Sequence, residues 1–234
     1  MAEPYLSVLI PAYNEEQTLE RVIDAVLKVD EDLEVVLVDD GSQDKTWEVM
    51  QSRVDDNRVR AFRHDANRGK GAAVRTGLTH ARGHIMLIQD ADLEYSPSDY
   101  PALLEPIKTG RATVVYGSRL FSSHASYSFW YVMGNRVVTL VTNVLYNCYL
   151  SDIETGYKVM PVDVARSLDL RARGFELEPE ITAKLLRLKQ RIYEVPIKYV
   201  ARSREEGKNL TAMDGIRALV TLTRLRAWKP GKPA

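Results

Sequence analysis

The sequence lacks several features that would place it in a specialised class of protein. Its single cysteine, Cys148, excludes an internal disulfide framework. No apolar run reaches the roughly 18 residues that a membrane-spanning helix needs, and the first residues lack the pattern of a signal peptide. The 32 lysines and arginines are balanced by 32 acids, so the basic excess typical of nucleic-acid binders is absent. We therefore expect a cytoplasmic globular protein that does not bind nucleic acid.

The charge that is present is unevenly distributed along the chain. From Arg202 to the C-terminus there are eight lysines and arginines against three acids, a formal charge of +5, which leaves −5 for residues 1–201. A basic tail that also contains Trp228 is suited to an anionic membrane surface. It is equally typical of a solvated C-terminal helix, and the sequence leaves both interpretations open.

Short β-rich runs alternate with helical patterns through the first half of the chain. This alternation predicts an α/β fold in which a mainly parallel sheet has helices on both faces. The predicted strands are Leu6–Pro11, Glu34–Asp39, Val59–His64, Ile85–Gln89 and Thr113–Tyr116. The second half predicts a helix over 130–147, a strand over 157–160, a helix from near Pro179, a strand over 192–197 and a helix over 212–228. Because no linker interrupts the chain, we expect one domain, 1–234, with halves 1–120 and 121–234.

Three of the predicted strands end in polar or acidic clusters. These clusters are residues 11–16, 38–42 and 89–92. In a parallel sheet the carboxyl ends of the strands share one edge, where ligands bind, so several carboxylates should converge there. Oxygen ligands without His or Cys suit Mg²⁺ or Mn²⁺ rather than Zn²⁺. Asp90 and Asp92 directly follow an apolar strand, so they are the strongest candidates for metal ligands.

A glycine-bearing segment, Asn67 to Ala73, leads into a predicted helix. Backbone N–H groups and the helix dipole at such a place favour an anion, although the spacing of a P-loop is absent. The alternative is a tight turn that needs glycine for its backbone conformation.

Taken together, these segments resemble the family 2 nucleotide-sugar glycosyltransferases of GT-A fold, and within them the polyprenyl- and dolichyl-phosphate sugar synthases. The matching segments are PAYNEE (11–16), VDDGSQDKT (38–46), NRGKGAAVRTG (67–77), QDADLEYSP (89–97), YGSR (116–119), DIETGYKV (152–159), FELEPEITAK (175–184) and EVPIKYVARSREEGK (194–208). The order of the eight segments makes a chance match very improbable. The resemblance implies that the first half binds a nucleotide sugar and the second half an acceptor.

The resemblance also implies roles for individual residues. The residues expected to bind the donor are Pro11, Tyr13, Glu15, Asp39, Lys70, Asp90, Ala91 and Asp92. Asp40 is expected instead to support the N-terminal loop that contains Pro11, Tyr13 and Glu15. The expected metal ligands are Asp90, Asp92 and Glu94, and the expected ion is Mg²⁺ or Mn²⁺. Acceptor binding falls to Arg119, Arg136, Arg202 and Lys208. The expected catalytic residues are Asp92, Arg119, Arg202 and, for one class of acceptor, Glu180.

The nature of the acceptor decides whether a base is needed. A lipid phosphate is already anionic and attacks the anomeric carbon directly, so we favour inverting transfer of a hexose from GDP-mannose or UDP-glucose to a polyprenyl or dolichyl phosphate. A hydroxyl acceptor on a glycan or small molecule would require a base, for which Glu180, with Glu178 close by, is the candidate. Both acids are alternatively helix N-terminal residues that stabilise the dipole. A sugar-nucleotide-binding regulator is the non-enzymatic alternative.

The lipid acceptor implies a membrane surface as a partner. The apolar helix that begins near Trp130 and the C-terminal helix are candidates for an interfacial platform, or they cover the sheet as ordinary core. We expect a peripheral protein on the cytoplasmic face, with a membrane protein as a further candidate partner.

Overall fold

The structure is a computed structural model that describes residues 3–120, 129–200 and 212–229. Within these residues the chain forms strands β1 (Leu6–Ala12), β2 (Leu33–Asp39), β3 (Val59–Arg63), β4 (Ile85–Ile88), β5 (Val114–Ser118), β6 (Lys158–Pro161) and β7 (Ile192–Pro196). The helices are α1 (Leu19–Leu27), α2 (Thr46–Gln51), α3 (Lys70–His80), α4 (Tyr100–Lys108), α5 (Phe129–Tyr146), α6 (Val162–Ser167), α7 (Leu177–Arg187) and α8 (Ala212–Leu225).

The strands form one mainly parallel sheet, in the order β3-β2-β1-β4-β6-β5-β7. β1 pairs in parallel with both β2 and β4, β2 with β3, and β5 with β7. β6 is antiparallel to both of its neighbours, β4 and β5. The α/β prediction is confirmed. The sequence did not indicate the direction of β6, because a short buried strand has the same apolar pattern in either direction.

Helices cover both faces of the sheet, as expected. On one face, α1, α2 and α4 bury side chains against β1, β2 and β4, and on the other face α3, α6 and α7 do so. α1 illustrates the cause: Leu19, Val22, Ile23 and Val26 recur at helical spacing and all are buried. Each such side chain contributes about 1.5–3 kcal/mol when it leaves water.

Helices α5 and α8 form a third layer rather than covering the sheet. They pack against each other and against α7, and share a small apolar cluster that includes Val138, Ala183 and Leu222. The indole of Trp228 lies over the buried Lys184 of α7, with the ammonium nitrogen 5.3 Å from the ring centre. Trp228 therefore packs inward, and the prediction that it helps the tail to contact a membrane is not supported.

The topology directs several connections to one edge of the sheet. Because β1, β2, β3, β4, β5 and β7 run in the same direction, their carboxyl ends share this edge, and antiparallel β6 begins there. The residues that follow β1, β2, β4 and β5, together with the loop before β6, surround this carboxyl edge.

Candidate functional site

The first two strand ends are tied together by hydrogen bonds between their loops. The amide of Asn14 donates to Ser42 Oγ at 2.9 Å, and the amide of Glu15 donates to Thr46 Oγ1 at 2.8 Å. Asn14 has a φ of 55°, in the left-handed region that Asn tolerates. Pro11 lies within β1, and the ring of Tyr13 is 41% exposed beyond its end. The structure thus places the expected donor residues Pro11, Tyr13 and Glu15 at the carboxyl edge.

Asp39 and Asp40, which end β2, have different surroundings. Asp39 is fully buried, with Oδ2 2.9 Å from Arg63 Nε, and its Oδ1 accepts from the amide of Ser42 at 3.0 Å. Arg63 lies in turn over the ring of Trp47, at 5.5 Å from its centre. The carboxylate of Asp39 therefore lies beside the guanidinium of Arg63 at the carboxyl edge.

Asp40 was expected to support the N-terminal loop, but its carboxylate binds the glycine-bearing turn. Its carboxylate accepts from the amides of Arg68 at 3.0 Å and Gly69 at 2.7 Å, and Oδ1 lies 2.7 Å from His64 Nδ1. Gly69 has a φ of 90°, and the amide of Gly71 donates to the carbonyl of Arg173 at 2.8 Å. These three amides donate within the protein, so the tight-turn interpretation of this segment is supported and the anion that the turn binds is Asp40.

Lys70, the first residue of α3, links two acids that are far apart in the sequence. Its Nζ lies 2.7 Å from Asp90 Oδ1 and 2.9 Å from Glu178 Oε1. Burial lowers the pKa of Lys70, but the two carboxylates outweigh this effect and hold its pKa well above the ordinary value. Asp90, after β4, is half-buried, while Glu178, in the first turn of α7, is buried. Lys70 is therefore a permanent cation between these two carboxylates.

The remaining acids of the β4 segment, Asp92 and Glu94, make contacts with other groups. Asp92 Oδ1 accepts from the amide of Glu94 at 3.1 Å, and Glu94 Oε2 accepts from the hydroxyl of Tyr199 at 2.8 Å. Leu93, between them, has a φ of 61°. Ala91 is buried. The expected third ligand, Glu94, thus contacts an aromatic side chain of the segment that follows β7.

Arg119, directly after β5, is held by a carboxylate that the sequence reasoning gave no role. Its Nε and Nη2 donate to Asp152 at 2.6 and 2.8 Å, and its guanidinium lies 5.0 Å from the centre of the Tyr199 ring. Burial raises the pKa of Asp152, but the charge of Arg119 and its hydrogen bonds hold it below the ordinary value. The segment DIETGYKV contained this signal, since an acid before a buried strand commonly has a cationic partner.

Two further ionisable groups, Glu154 and Lys158, lie in the segment that leads into and begins β6. Burial, reinforced by Glu178, raises the pKa of Glu154 to about 7. Burial lowers the pKa of Lys158 to about 8; its ammonium group donates to the carbonyls of Ile153 and Thr155. In the part of the chain that the structure describes, Glu154 Oε1 and Glu178 Oε2 are buried without a hydrogen-bond partner. The sequence reasoning gave no role to Glu154 or Lys158, because their burial depends on the tertiary structure.

Glu180, the candidate base, has a structural role instead. Its carboxylate accepts from the amides of Arg171 and Ala172 and from Lys184 Nζ, at 2.7–3.0 Å, and it is buried. These contacts hold the loop before α7 and neutralise a buried lysine. The prediction of a base is therefore corrected: Glu178, two residues earlier, contacts Lys70 at the edge, whereas Glu180 points to the 171–172 loop.

The other expected acceptor residues are only partly described. Arg136 lies exposed on α5, and the structure gives it no contact with the acids of the edge. Arg202 and Lys208 fall within 201–211, outside the described residues, as do the side chain of Trp130 and residues 121–128. A cavity of about 380 Å³ opens beside the glycine turn and the start of α8. Arg68, Arg173, Arg217 and Phe175 line it.

The acids at the edge fit a hard divalent cation. Among the residues described, no group of three or more His, Cys, Asp or Glu is arranged to hold a metal by itself. The pair Asp90 and Asp92 instead matches the way in which Mg²⁺ commonly binds, through one or two carboxylates together with substrate phosphates and water. Asp90 already accepts a cation, the ammonium group of Lys70. The candidate metal ligands are thus carboxylate oxygens, which are the type of ligand that Mg²⁺ and Mn²⁺ prefer.

Comparisons with known proteins agree with the resemblance. Residues 7–168 match the family described as "Glycosyl transferase family 2". An undecaprenyl-phosphate mannosyltransferase of Micrococcus luteus is 32% identical over 92% of this chain and 91% of its own length. A dolichol-phosphate mannosyltransferase of Pyrococcus furiosus is 30% identical over 87% of this chain, but the match spans 58% of that protein. Glucosyl-3-phosphoglycerate synthase of Mycobacterium tuberculosis, solved with Mn²⁺, UDP and phosphoglyceric acid, superposes with a TM-score of 0.75 at 21% identity, over 96% of this chain and 79% of that one. This last likeness confirms the GT-A type of fold.

Proposed function

The chain belongs to glycosyl transferase family 2, and from that premise we propose that it transfers a hexose from a nucleotide-diphosphate sugar to a polyprenyl or dolichyl phosphate. The acceptor is inferred from relatives whose names specify undecaprenyl or dolichyl phosphate. We further propose that residues 1–120 bind the donor and 121–234 the acceptor, within one domain.

The observation that carries the proposal is the position of Asp90 and Asp92. They follow β4, whose parallel neighbour β1 ends at the loop of Tyr13 and Glu15, while β2 ends at Asp39. A nucleotide that lies across these strand ends directs its diphosphate towards β4, in the manner of parallel sheets that bind nucleotides. Asp90 and Asp92 would hold Mg²⁺ or Mn²⁺, which neutralises charge on the leaving diphosphate.

Transfer requires positive charge that is already in position, because the leaving group becomes more negative as the sugar bond breaks. Lys70 and Arg119 supply such charge at the edge, and both are held by carboxylates. Side chains fixed in this way stabilise developing charge without reorganising during the reaction. The role of Arg119 towards a phosphate group is supported by its position directly after β5, and Arg136, Arg202 and Lys208 remain predictions.

A phosphate acceptor fits the chemistry of this chain better than a hydroxyl. Both oxygens of Glu180 accept hydrogen bonds from the protein, so the acid proposed for a hydroxyl acceptor is committed elsewhere. A phosphate oxygen attacks the anomeric carbon directly while the nucleoside diphosphate leaves from the opposite side, which inverts the configuration. The cavity next to the glycine turn is lined by Arg68, Arg173 and Arg217 and by the acids Glu176 and Asp214, so it offers a small excess of positive charge to an anionic acceptor.

The lipid must be met at a membrane surface. Within residues 3–120, 129–200 and 212–229, no helix is long and apolar enough to cross a bilayer. Leu140 and Val144 on α5 are 61% and 73% exposed, and Ile216 and Val220 on α8 are exposed as well. Arg224 and Arg226 lie exposed at the end of α8, so apolar and basic groups occur together, as in proteins that rest on anionic lipid. We propose peripheral binding to the cytoplasmic face.

The proposal is tested by release of nucleoside diphosphate from GDP-mannose and UDP-glucose with Mn²⁺, with and without a short polyprenyl phosphate in detergent. We expect one donor to give release that depends on the lipid phosphate. Asp92→Asn should lower this release by about a hundredfold, the scale of a lost electrostatic contact in a transition state. Asp163→Asn, an exposed acid on α6, is the control and should leave the rate unchanged. Slow release that the lipid does not alter would contradict the phosphate acceptor.

A further inference from the structure

Lys70 occupies an unusual position for a lysine that is expected to contact a substrate. Its ammonium group lies between Asp90 and Glu178, within 3 Å of an oxygen of each. Asp90 is also one of the two acids proposed to bind the divalent cation. A divalent cation bound to Asp90 would lie close to this ammonium group, and the two positive charges would repel each other. Lys70 and a metal ion therefore compete for Asp90.

We propose that Lys70 is an internal counter-cation that holds Asp90 until a divalent cation displaces it, and that Glu178 is the positioning residue that retains Lys70 after displacement. This inference rests on the proposed function, in which Asp90 is a metal ligand. It adds two roles. The contact of Lys70 with Asp90 lowers the affinity of the site for metal, and the buried Glu178 holds the Lys70 ammonium group after the metal has bound.

The surroundings of Glu178 support this transfer. Glu178 is 6% exposed, and its Oε2 has no hydrogen-bond partner among the described residues. A buried carboxylate oxygen without a donor is costly. When Lys70 leaves Asp90, it can donate to both oxygens of Glu178, so the buried acid gains the hydrogen bond that it lacks. The cost of breaking the contact with Asp90 is thereby partly offset.

The position of Asp90 makes the displacement local. Asp90 Oδ2 lies against Gly156, where an added Cβ would stand 2.6 Å from this oxygen. Gly156 therefore leaves room beside the Asp90 carboxylate that any other residue would fill. Lys70 stands at the first position of α3, where a lysine side chain can change its rotamers without moving the helix. Competition thus requires only side-chain movement.

The test is the affinity for Mn²⁺, measured by the electron paramagnetic resonance signal of the free ion with the full chain. Each titration is run without nucleotide and again with UDP, which covers the case in which the wild-type protein binds Mn²⁺ only together with a nucleotide. Lys70→Met should tighten Mn²⁺ binding by about tenfold, the lower range for loss of one charge-assisted hydrogen bond that competes with the ion. If Lys70 instead maintains the geometry of the metal site, the same variant should weaken Mn²⁺ binding.

The double variant Lys70→Met/Glu178→Gln separates direct competition from a general effect of charge. It removes one positive and one negative charge, so the net charge of the site equals that of the wild type, yet Asp90 is released. Tighter Mn²⁺ binding than in the wild type supports the proposal, and a return to wild-type affinity overturns it. Lys108→Met is the matched control, since it removes a lysine from a pair with Glu31 elsewhere on the surface, and should leave the affinity unchanged.

Failure of the metal assignment gives a different result. If Asp90→Asn binds Mn²⁺ as tightly as the wild type, or if the wild type binds none in either titration, Asp90 is not a metal ligand and the proposed function loses its metal site. If Asp90→Asn abolishes binding while Lys70→Met fails to tighten it, the metal site stands and the competition by Lys70 is wrong.

Discussion

At the scale of single residues, Glu180 shows how burial decides between a catalytic and a structural acid. In the sequence it shares its helix start with Glu178, and both look equally suited to chemistry. The structure buries Glu180 among the amides of Arg171 and Ala172 and beside Lys184. A carboxylate whose oxygens already accept from fixed donors is poorly suited to take a further proton.

We expect Glu180→Gln to lower the free energy of unfolding by about 3–5 kcal/mol, because Lys184 would be left buried without a counter-charge. Urea unfolding measures this loss, and nucleotide release per folded molecule should remain near that of the wild type. Glu20→Gln, which breaks the exposed pair with Arg53, is the control and should cost less than about 1 kcal/mol. Normal stability combined with abolished turnover would restore Glu180 as a base.

The pair formed by Arg119 and Asp152 predicts how stability depends on pH. The pKa of Asp152 is below its ordinary value in the folded protein, because the charge of Arg119 outweighs burial. Its ionised form therefore stabilises the fold above the unfolded pKa, and this contribution is lost as the pH falls through the lower folded pKa.

Asp152→Asn should accordingly destabilise the protein by about 3–5 kcal/mol at pH 7, since the buried Arg119 would lose the negative charge of Asp152. The difference from the wild type should begin to shrink below about pH 4, where this carboxyl takes up a proton in the unfolded chain, and should shrink further as the pH falls towards the lower folded pKa. Urea unfolding at pH 7 and pH 3 tests this expectation. Asp56→Asn, in the more exposed pair with Arg58, should have little effect at either pH, and a difference for Asp152→Asn that stays constant with pH would contradict the interpretation.

At the scale of elements, the turn before α3 owes its shape to packing as well as to glycine. Gly69 has a φ of 90°, and a Cβ at this position would overlap the carbonyl oxygen of Arg173. Gly110 also has a positive φ, 71°, but nothing lies within 4 Å of its Cβ position. Both glycines therefore have a positive φ, but Gly69 also has an extended ψ of 155° and the close contact with Arg173.

Gly69→Ala should cost more than Gly110→Ala, for which the positive φ alone predicts about 1–2 kcal/mol. The additional loss reports the overlap with the 172–174 loop. Because Lys70 follows directly, Gly69→Ala should also weaken binding of the nucleotide sugar, whereas Gly110→Ala should not. Thermal unfolding and isothermal titration with the donor measure the two effects, and equal losses of stability in both variants would show that the contact is unimportant.

At the scale of the whole molecule, the proposed function assigns contact with the membrane to the exposed faces of α5 and α8. Leu140→Gln/Val144→Gln should weaken binding to vesicles containing phosphatidylglycerol by at least about tenfold, since each exposed side chain of this size contributes about 1.5–3 kcal/mol when fully buried. Cosedimentation with vesicles measures the binding, which should also fall with added salt. Val54→Gln, an exposed apolar residue near α2, is the control, and an equal loss for that variant would contradict a specific membrane-facing surface.

The sequence by itself determined the class of fold and the ends of the strands. Alternating β-rich and helical runs predicted the mainly parallel sheet, because apolar periodicity follows directly from which face of an element is buried. The position of Asp90 and Asp92 at the end of a strand could be predicted for the same reason, because polar side chains return to solvent where a buried strand ends.

Only the tertiary structure decided which charges meet. Lys70 contacts Glu178 across more than a hundred residues of sequence, and Arg119 meets Asp152 through the reversal of the chain at antiparallel β6. Neither local propensity nor spacing contains such contacts, because they depend on strand order and direction. The same physics separates Glu178 from Glu180: both lie in the first turn of α7, but two residues of helix turn the carboxylates to opposite sides, one to the open edge and one to a buried loop.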